Sequence, residues 1–360
     1  MTMFDFPTGW IDRLPSFAAS HNATLLNRIT PQTFNPPWYY IARERIHPAI
    51  SDTALSLAAP IIVYWIVSSV FHFLDVMEFP YFEKRRIHES AETKSRNRAT
   101  LSQVLWAVIF QQIVQTITGF IVLESEKDVL RTEYYKDHMA SLRWLAPRVA
   151  DVTFALLGQS AGRRVLEAAG PRITEWFYWW GIPALQLFLG CCVIDTWQYW
   201  LHRIMHTYPV LYRHFHSHHH RLYVPFAFGA LYNHPVEGLL LDTLGAGIAQ
   251  FATFMTIRQA TLLFTISSWK TVDDHCGYRL WWDPCQMFFA NNADYHDIHH
   301  QTYGIKANFA QPFFTNWDYF LGTQMTREQA EKRHLPKGTI ANGAPSTKVA
   351  TANGESKKDL

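Results

Sequence analysis

Eighteen histidines are more than a 360-residue chain needs as filler, and twelve of them fall between residues 202 and 300, a window holding about a quarter of the chain. Their spacings repeat as His202-Arg-Ile-Met-His206, His216-Ser-His-His219-His220 and His296-Asp-Ile-His299-His300. On a helix, residues three and four apart share a face, so each group projects two or three imidazoles in one direction. Eight nitrogens from three faces exceed the three or four that one zinc takes, and suit two metal ions with roughly four to six positions each. Nitrogen donors of this kind fit iron, and an iron pair with room for a small molecule points to oxidative chemistry. His202, His206, His216, His219, His220, His296, His299 and His300 are therefore the expected catalytic metal ligands.

His234, in Asn233-His-Pro-Val-Glu237, and His275, in Asp273-Asp-His-Cys-Gly277, flank an apolar stretch and bring the expected ligand set to ten. His214 and His218 fall off the shared face and are expected at the rim. Because a ligating imidazole commonly donates its other N–H to a carboxylate or carbonyl, Asp195, Asp273, Asp274, Asp294 and Asp297 are expected to orient the ligands, with Asn291, Asn292 and Asn308 in support. A zinc-dependent hydrolase is the alternative from another class. It would need a general base, for which Glu237 is the attractive carboxylate.

These residues need elements to hold them, and the composition says what kind. Hydrophobic residues make up 48% and charged ones only 17%, below the roughly 25% of a soluble domain. Mean hydropathy is nevertheless only -0.10, too low for a pure membrane bundle. A net charge of +2 offers no basic field for nucleic acid, and four cysteines are too few for a disulfide scaffold. Thr53 to Leu74 and Ala99 to Leu123 are charge-free and about long enough to cross a bilayer. In the second, Gln103, Gln111, Gln112 and Gln115 mark a side facing protein.

Between these spans, Phe82 to Arg98 carries six basic residues, Lys84, Arg85, Arg86, Lys94, Arg96 and Arg98, against Glu83, Glu89 and Glu92. That is the bias of a cytosolic loop. A third run, Phe177 to Ile194, opens on interfacial aromatics and leads through Trp197, Tyr199 and Trp200 towards the first histidine box. Residues 243–269 are apolar but divided by Arg258, which predicts a helical hairpin or re-entrant pair returning to the face it left.

The expected fold is thus an all-α integral membrane protein of about four transmembrane or re-entrant segments, with a cytosolic, histidine-rich helical cap holding a di-metal centre. Its expected divisions are an N-terminal segment (1–52), membrane helices and their loops (53–200), the catalytic region with the 238–269 hairpin (201–322), and a tail (323–360). Met1 to Ser20 does not read as a cleaved signal peptide. Lys357 and Lys358 resemble a dilysine retrieval signal, which places the C-terminus in the cytosol, and Asn22-Ala23-Thr24 is a glycosylation sequon. Ile340 to Leu360 is expected to be disordered.

The boxes at His202–His206 and His296–His300, with the stretch from Phe215 through His216, His219, His220, Arg221, Leu222, Tyr223, Val224 and Pro225 to Tyr232, Asn233, His234, Pro235 and Glu237, and Asp273 to Tyr278, resemble the fatty acid hydroxylase and sterol desaturase superfamily. Within it, the likeness is closest to the fungal sphingolipid C4-hydroxylases. It covers roughly residues 190–322, with weaker likeness before. The resemblance implies an endoplasmic reticulum di-iron oxygenase that takes electrons from cytochrome b5, uses O2, and hydroxylates C4 of sphinganine or of the sphinganine part of dihydroceramide. Sterol desaturases and sterol C4-methyl oxidases share the same boxes and are the alternative. Trp197, Tyr199, Tyr232, Phe288 and Phe289 are expected either to line the lipid passage or to anchor at the interface.

Overall fold

The computed structural model describes residues 23–125 and 137–334, and its named elements are all helices. Asn22 and the tail with Lys357 and Lys358 lie outside the described residues. A short helix α1 (Ala23–Ile29) leads to α2 (Asp52–Met77), whose start is fixed by Ser51 Oγ accepting from Ala54 N at 3.1 Å. α2 ends where Glu78 turns left-handed at φ 46°. It buries Tyr64, Ser68 and Phe71 and turns Ile62, Ile66, Val70 and Phe73 outward. An apolar face without protein cover on a helix of this length is a lipid-facing surface.

Helix α3 (Leu101–Ser125) repeats the pattern, exposing Trp106, Phe110, Ile113 and Ile117 while burying Gln111 and Gln112. Gln103 is exposed instead, and its side chain accepts from Thr100 N at 3.0 Å at the helix start. Helix α4 (His138–Trp176) passes through a π turn, Phe177–Gly181, into α5 (Ile182–Thr207). Among the described residues three helical stretches, Asp52–Met77, Leu101–Val122 and His138–Thr207, are long and apolar enough to cross a membrane, not four. The protein is a multi-pass membrane protein.

The fourth apolar segment is shortened by its own turn. Helix α6 (Gly245–Ala252) stops at Thr253, Phe254 adopts φ 56°, and Thr256 caps α7 (Ile257–Asp274) in a reciprocal capping box with Gln259. Arg258 sits at that turn and bonds Asp52 Oδ2 at 2.7 Å and the carbonyls of Ile41 and Arg43. From there α7 runs beside α2 in the same direction. Ser268 Oγ donates to Pro60 O at 2.9 Å, and beyond the helix Tyr278 OH donates to Asp75 at 2.7 Å. The hairpin therefore returns to the face it left, bringing Glu237 and His275 to one side.

The basic stretch after α2 lies on that same side. It forms two short helices, Pro80–Glu83 and Ser90–Arg96, and packs on the histidine region. Ile87 N donates to Gly277 O, Arg98 N to Arg221 O, and Arg96 to Gln301 Oε1 at 2.7 Å. A core of Tyr64, Phe71, Phe228, Tyr232, Tyr278 and their neighbours fills the space between α2, α7 and the cap.

Candidate metal centre

The membrane end of the first box is the C-terminal turn of α5, where His202 and His206 lie one helical turn apart. The second box is not one α-helical face. Tyr212–His216 is a π turn and His219–Arg221 a 3-10 turn. The third lies on α8 (Ala293–His300), capped by Asn292 accepting from Tyr295 N.

Nine of the ten expected ligands meet in two groups. His202, His206, His216, His220 and His299 form one, and His219, His275, His296 and His300 the other, with the potential ligand atoms of each group within 4.8 Å of one another. The groups share a wall, since the His220 and His300 rings are 4.9 Å apart. The helical offsets explain the partition. Residues four apart, such as His296 and His300, point the same way, whereas His299 stands about 100° from its neighbour and enters the other group.

The structure keeps His234 away from both groups. Pro235 begins a helix, so His234 becomes its N-cap, with Nδ1 accepting from Val236 N at 3.3 Å and its ring on Phe215. His214 is exposed and bonds Val210 O, while His218 packs on the Tyr232 ring at 4.3 Å. Both sit off the groups.

Six of the nine imidazoles are engaged through Nδ1. Nδ1–H of His202 donates to Phe309 O at 2.8 Å, of His275 to Thr271 O at 2.8 Å, of His299 to Ala307 O at 2.7 Å and of His300 to Leu222 O at 2.7 Å. His219 donates to Tyr232 O at 3.3 Å and His216 to Glu237 Oε1 at 2.5 Å. A carbonyl only accepts, so the five rings bonded to one carry their proton on Nδ1 and aim a bare Nε2 lone pair inward. Burial holds His216, His275 and His299 down to about 3 and His219 to about 4, so these rings stay neutral and ready to ligate.

Inward lone pairs facing one another repel unless a cation lies between them. In the first group, the Nε2 atoms of His202 and His216 are 3.0 Å apart, those of His216 and His220 3.0 Å, and those of His220 and His299 3.2 Å. In the second, His275–His296 and His296–His300 are 3.1 Å and His219–His275 is 3.4 Å. Nitrogens about 2.1 Å from one ion lie about 3.0 Å apart at right angles and about 3.4 Å apart at tetrahedral angles. The donor set therefore fits metal ions, and the five-nitrogen group fits the right-angled arrangement.

The aspartates do not orient the ligands directly. Asp195 accepts from Phe313 N at 3.0 Å and Phe314 N at 2.5 Å, Asp274 pairs with Lys270, and Asp273 takes Gln286. Asp294 and Asp297 are tied to Arg327. Asn291 bonds Asp274 and Pro312 O, and Asn308 bonds Tyr295 O and Met325 O. They build the surrounding chain, and backbone carbonyls, of Phe309 and Ala307 in a loop and of Thr271 within α7, take imidazole protons. Glu237 is the carboxylate that does touch an expected ligand, through Oε1 to His216. Asp318, absent from the expected set, anchors the loop bearing Phe309.

Gly304 follows the third box at a point where a Cβ would stand 1.8 Å from Ile298 O. Gly304→Ala is expected to destabilise the protein by about 3 kcal/mol, read as a lower unfolding temperature in detergent. An unchanged midpoint would show that α8 has room to shift. The aromatic residues divide. Tyr199 is buried against Trp317, Trp197 donates to Leu240 O, Phe289 packs on Phe313, and Phe288 is exposed.

Residues 187–323 match the fatty acid hydroxylase family. The chain is 47% identical over 298 residues to sphingolipid C4-hydroxylase SUR2 of Saccharomyces cerevisiae, covering 83% of this chain and 79% of that one. It is 43% identical over 285 residues to sphingolipid C4-hydroxylase sur2 of Schizosaccharomyces pombe, covering 76% and 89%. It is 39% identical over 277 residues to sphinganine C4-monooxygenase 1 of Arabidopsis thaliana, covering 77% and 89%. No solved structure matches. With two histidine groups able to hold metal at the end of its membrane helices, and with relatives matched along most of their length, the chain belongs to the sphingolipid C4-hydroxylase family of monooxygenases.

Proposed function

We propose that the two groups hold two iron ions, with His202, His206, His216, His220 and His299 on one and His219, His275, His296 and His300 on the other. The enzyme then hydroxylates C4 of sphinganine, or of the sphinganine part of dihydroceramide, to the phytosphingosine type of base. One atom of O2 enters the C–H bond and the other leaves as water, which requires two electrons and two protons, supplied here by cytochrome b5 and solvent. A bound iron pair supplies the oxidation of an unactivated carbon. The observation that carries this reading is the convergence of nine imidazoles, six engaged through Nδ1, on two points side by side.

The chain's own residues position and shield. Carbonyls of Phe309, Ala307, Leu222, Tyr232 and Thr271 fix the rings, and burial of His202, His299 and His300 keeps water from the metal positions. The basic stretch beside the cluster supports a cytosolic catalytic face, with the enzyme resident in the endoplasmic reticulum membrane. The test is iron-loaded enzyme in vesicles with sphinganine, 18O-labelled O2, and cytochrome b5 with its reductase. One labelled oxygen at C4 is expected. A product without label, or consumption of a sterol instead, would favour a different member of the superfamily.

A further inference from the structure

Beside the metal groups lies a polar cavity whose wall includes the ligands His216, His219 and His275. Its other side is formed by Glu237, Asp242, Gln198 and Asn233. Glu237 is 1% exposed, and while Oε1 accepts from His216, Oε2 has no hydrogen-bond partner. Asp242 has only long contacts, from Gln198 and Gln111 at 3.4 Å each. Among the described residues no lysine or arginine lines the cavity or pairs with either carboxylate.

The two carboxylates are five positions apart, which on an α-helix would put them on opposite sides. Here Pro235–Gly238 opens into a π-helical stretch, Leu239–Leu244, whose wider turn brings residues five apart to one face. Gly238 lets this stretch press against α3, since a Cβ there would stand 2.2 Å from Gln111 Nε2. The π turn thus gathers two acids onto one wall of an enclosed space, where a single small donor reaches both.

We propose that this cavity seats the protonated amine of a free long-chain base, a group about the size of one water, between Asp242 and Glu237. The assignment rests on C4 hydroxylation as the reaction. The amine on C2 is three bonds from C4 and no more than about 4 Å away, so it must sit against the metal ligands, where this cavity lies. An ammonium between two carboxylates makes charge-assisted hydrogen bonds that an N-acylated base, carrying a neutral and bulkier amide, does not. Asp242 and Glu237 accordingly set a preference for the free base and hold C4 in register.

The test compares sphinganine with N-acetylsphinganine on iron-loaded enzyme in vesicles, for the wild type and Asp242→Asn, with iron content measured in both. The variant keeps shape and removes charge. It is expected to raise KM for sphinganine at least tenfold, with a much smaller fall in kcat, and to narrow the preference over the acylated base. Equal KM changes for both substrates, or none, would overturn the amine site. Should the variant misfold, wild-type enzyme is challenged with octadecane-1,3-diol, which lacks only the amine. Competition against sphinganine at least tenfold weaker supports the site, and equal competition sinks it. Wild-type enzyme that forms no C4-hydroxylated product from either base would instead remove the underlying reaction.

Discussion

His219→Ala is expected to abolish C4 hydroxylation and, on the proposed two-iron centre, to lower bound iron from two towards one per chain, while His218→Ala, one residue away, is expected to stay within a few-fold of wild type. His219 is one of only four nitrogens in its group, and it is 3% exposed with Nδ1–H held by Tyr232 O. Removing it leaves three donors and a buried cavity where an imidazole stood. His218 reaches neither group and packs, tilted by 34°, on the Tyr232 ring, so its loss costs a ring contact of about 1 kcal/mol. Iron analysis and product yield on the same preparations check both halves. Equal loss in the two variants would mean that Tyr232, whose carbonyl holds His219, transmits the damage. Retained turnover in His219→Ala would mean that the four-nitrogen group is not part of the centre.

That comparison also shows what the sequence makes legible. Spacing alone identifies His219 as a candidate and His218 as an outsider, because the repeated His-x-x-His-His pattern is a geometric statement about helical turns. It assigns His216, His219 and His220 to one face, however, and the structure divides them as it divides His296, His299 and His300 on a regular α-helix: residues four apart stay together, and the one between enters the other group. His234 and His275 look equivalent as single histidines flanking the hairpin. Pro235 is the signal that separates them, since a helix opening on proline makes the preceding residue an N-cap.

The membrane helices are legible for a similar reason, because an uncharged run is a direct demand of the bilayer. The fourth segment, expected as a hairpin or re-entrant pair, turns where Thr253 to Thr256 join its two helices, and Arg258 at the turn bonds Asp52. The orienting groups are the least legible part. Every residue has a carbonyl, so nothing in the residue types distinguishes Phe309 or Ala307 from other loop positions. Only the loop's conformation does so, and Asp318 and Asp195, which belong to neither histidine group, hold its backbone N–H groups.

Asp318→Asn tests that control. Asp318 is fully buried, with Oδ1 accepting from Phe309 N at 3.0 Å and Thr323 OH at 2.6 Å, and Oδ2 accepting from Ala310 N at 2.8 Å and Tyr295 OH at 2.9 Å. Each oxygen thus faces a backbone N–H. Whichever position takes the asparagine NH2 sets donor against donor, leaving a buried N–H unsatisfied at a cost of about 1–3 kcal/mol. The loop then yields at Phe309, whose carbonyl fixes His202, and at the adjoining Ala307, whose carbonyl fixes His299. Both imidazoles belong to the five-nitrogen group, while His275 and His300 are held by carbonyls elsewhere, at Thr271 and Leu222. Loss of an orienting partner typically lowers metal affinity 10–100-fold. Iron titration of Asp318→Asn is therefore expected to become two-phase, with one ion bound as in wild type and the other weakened by about that factor, and with hydroxylation falling alongside the weaker phase. Uniform weakening of both ions would show that the loop supports the whole cap, and an unchanged titration would show that His202 and His299 hold their orientation without it.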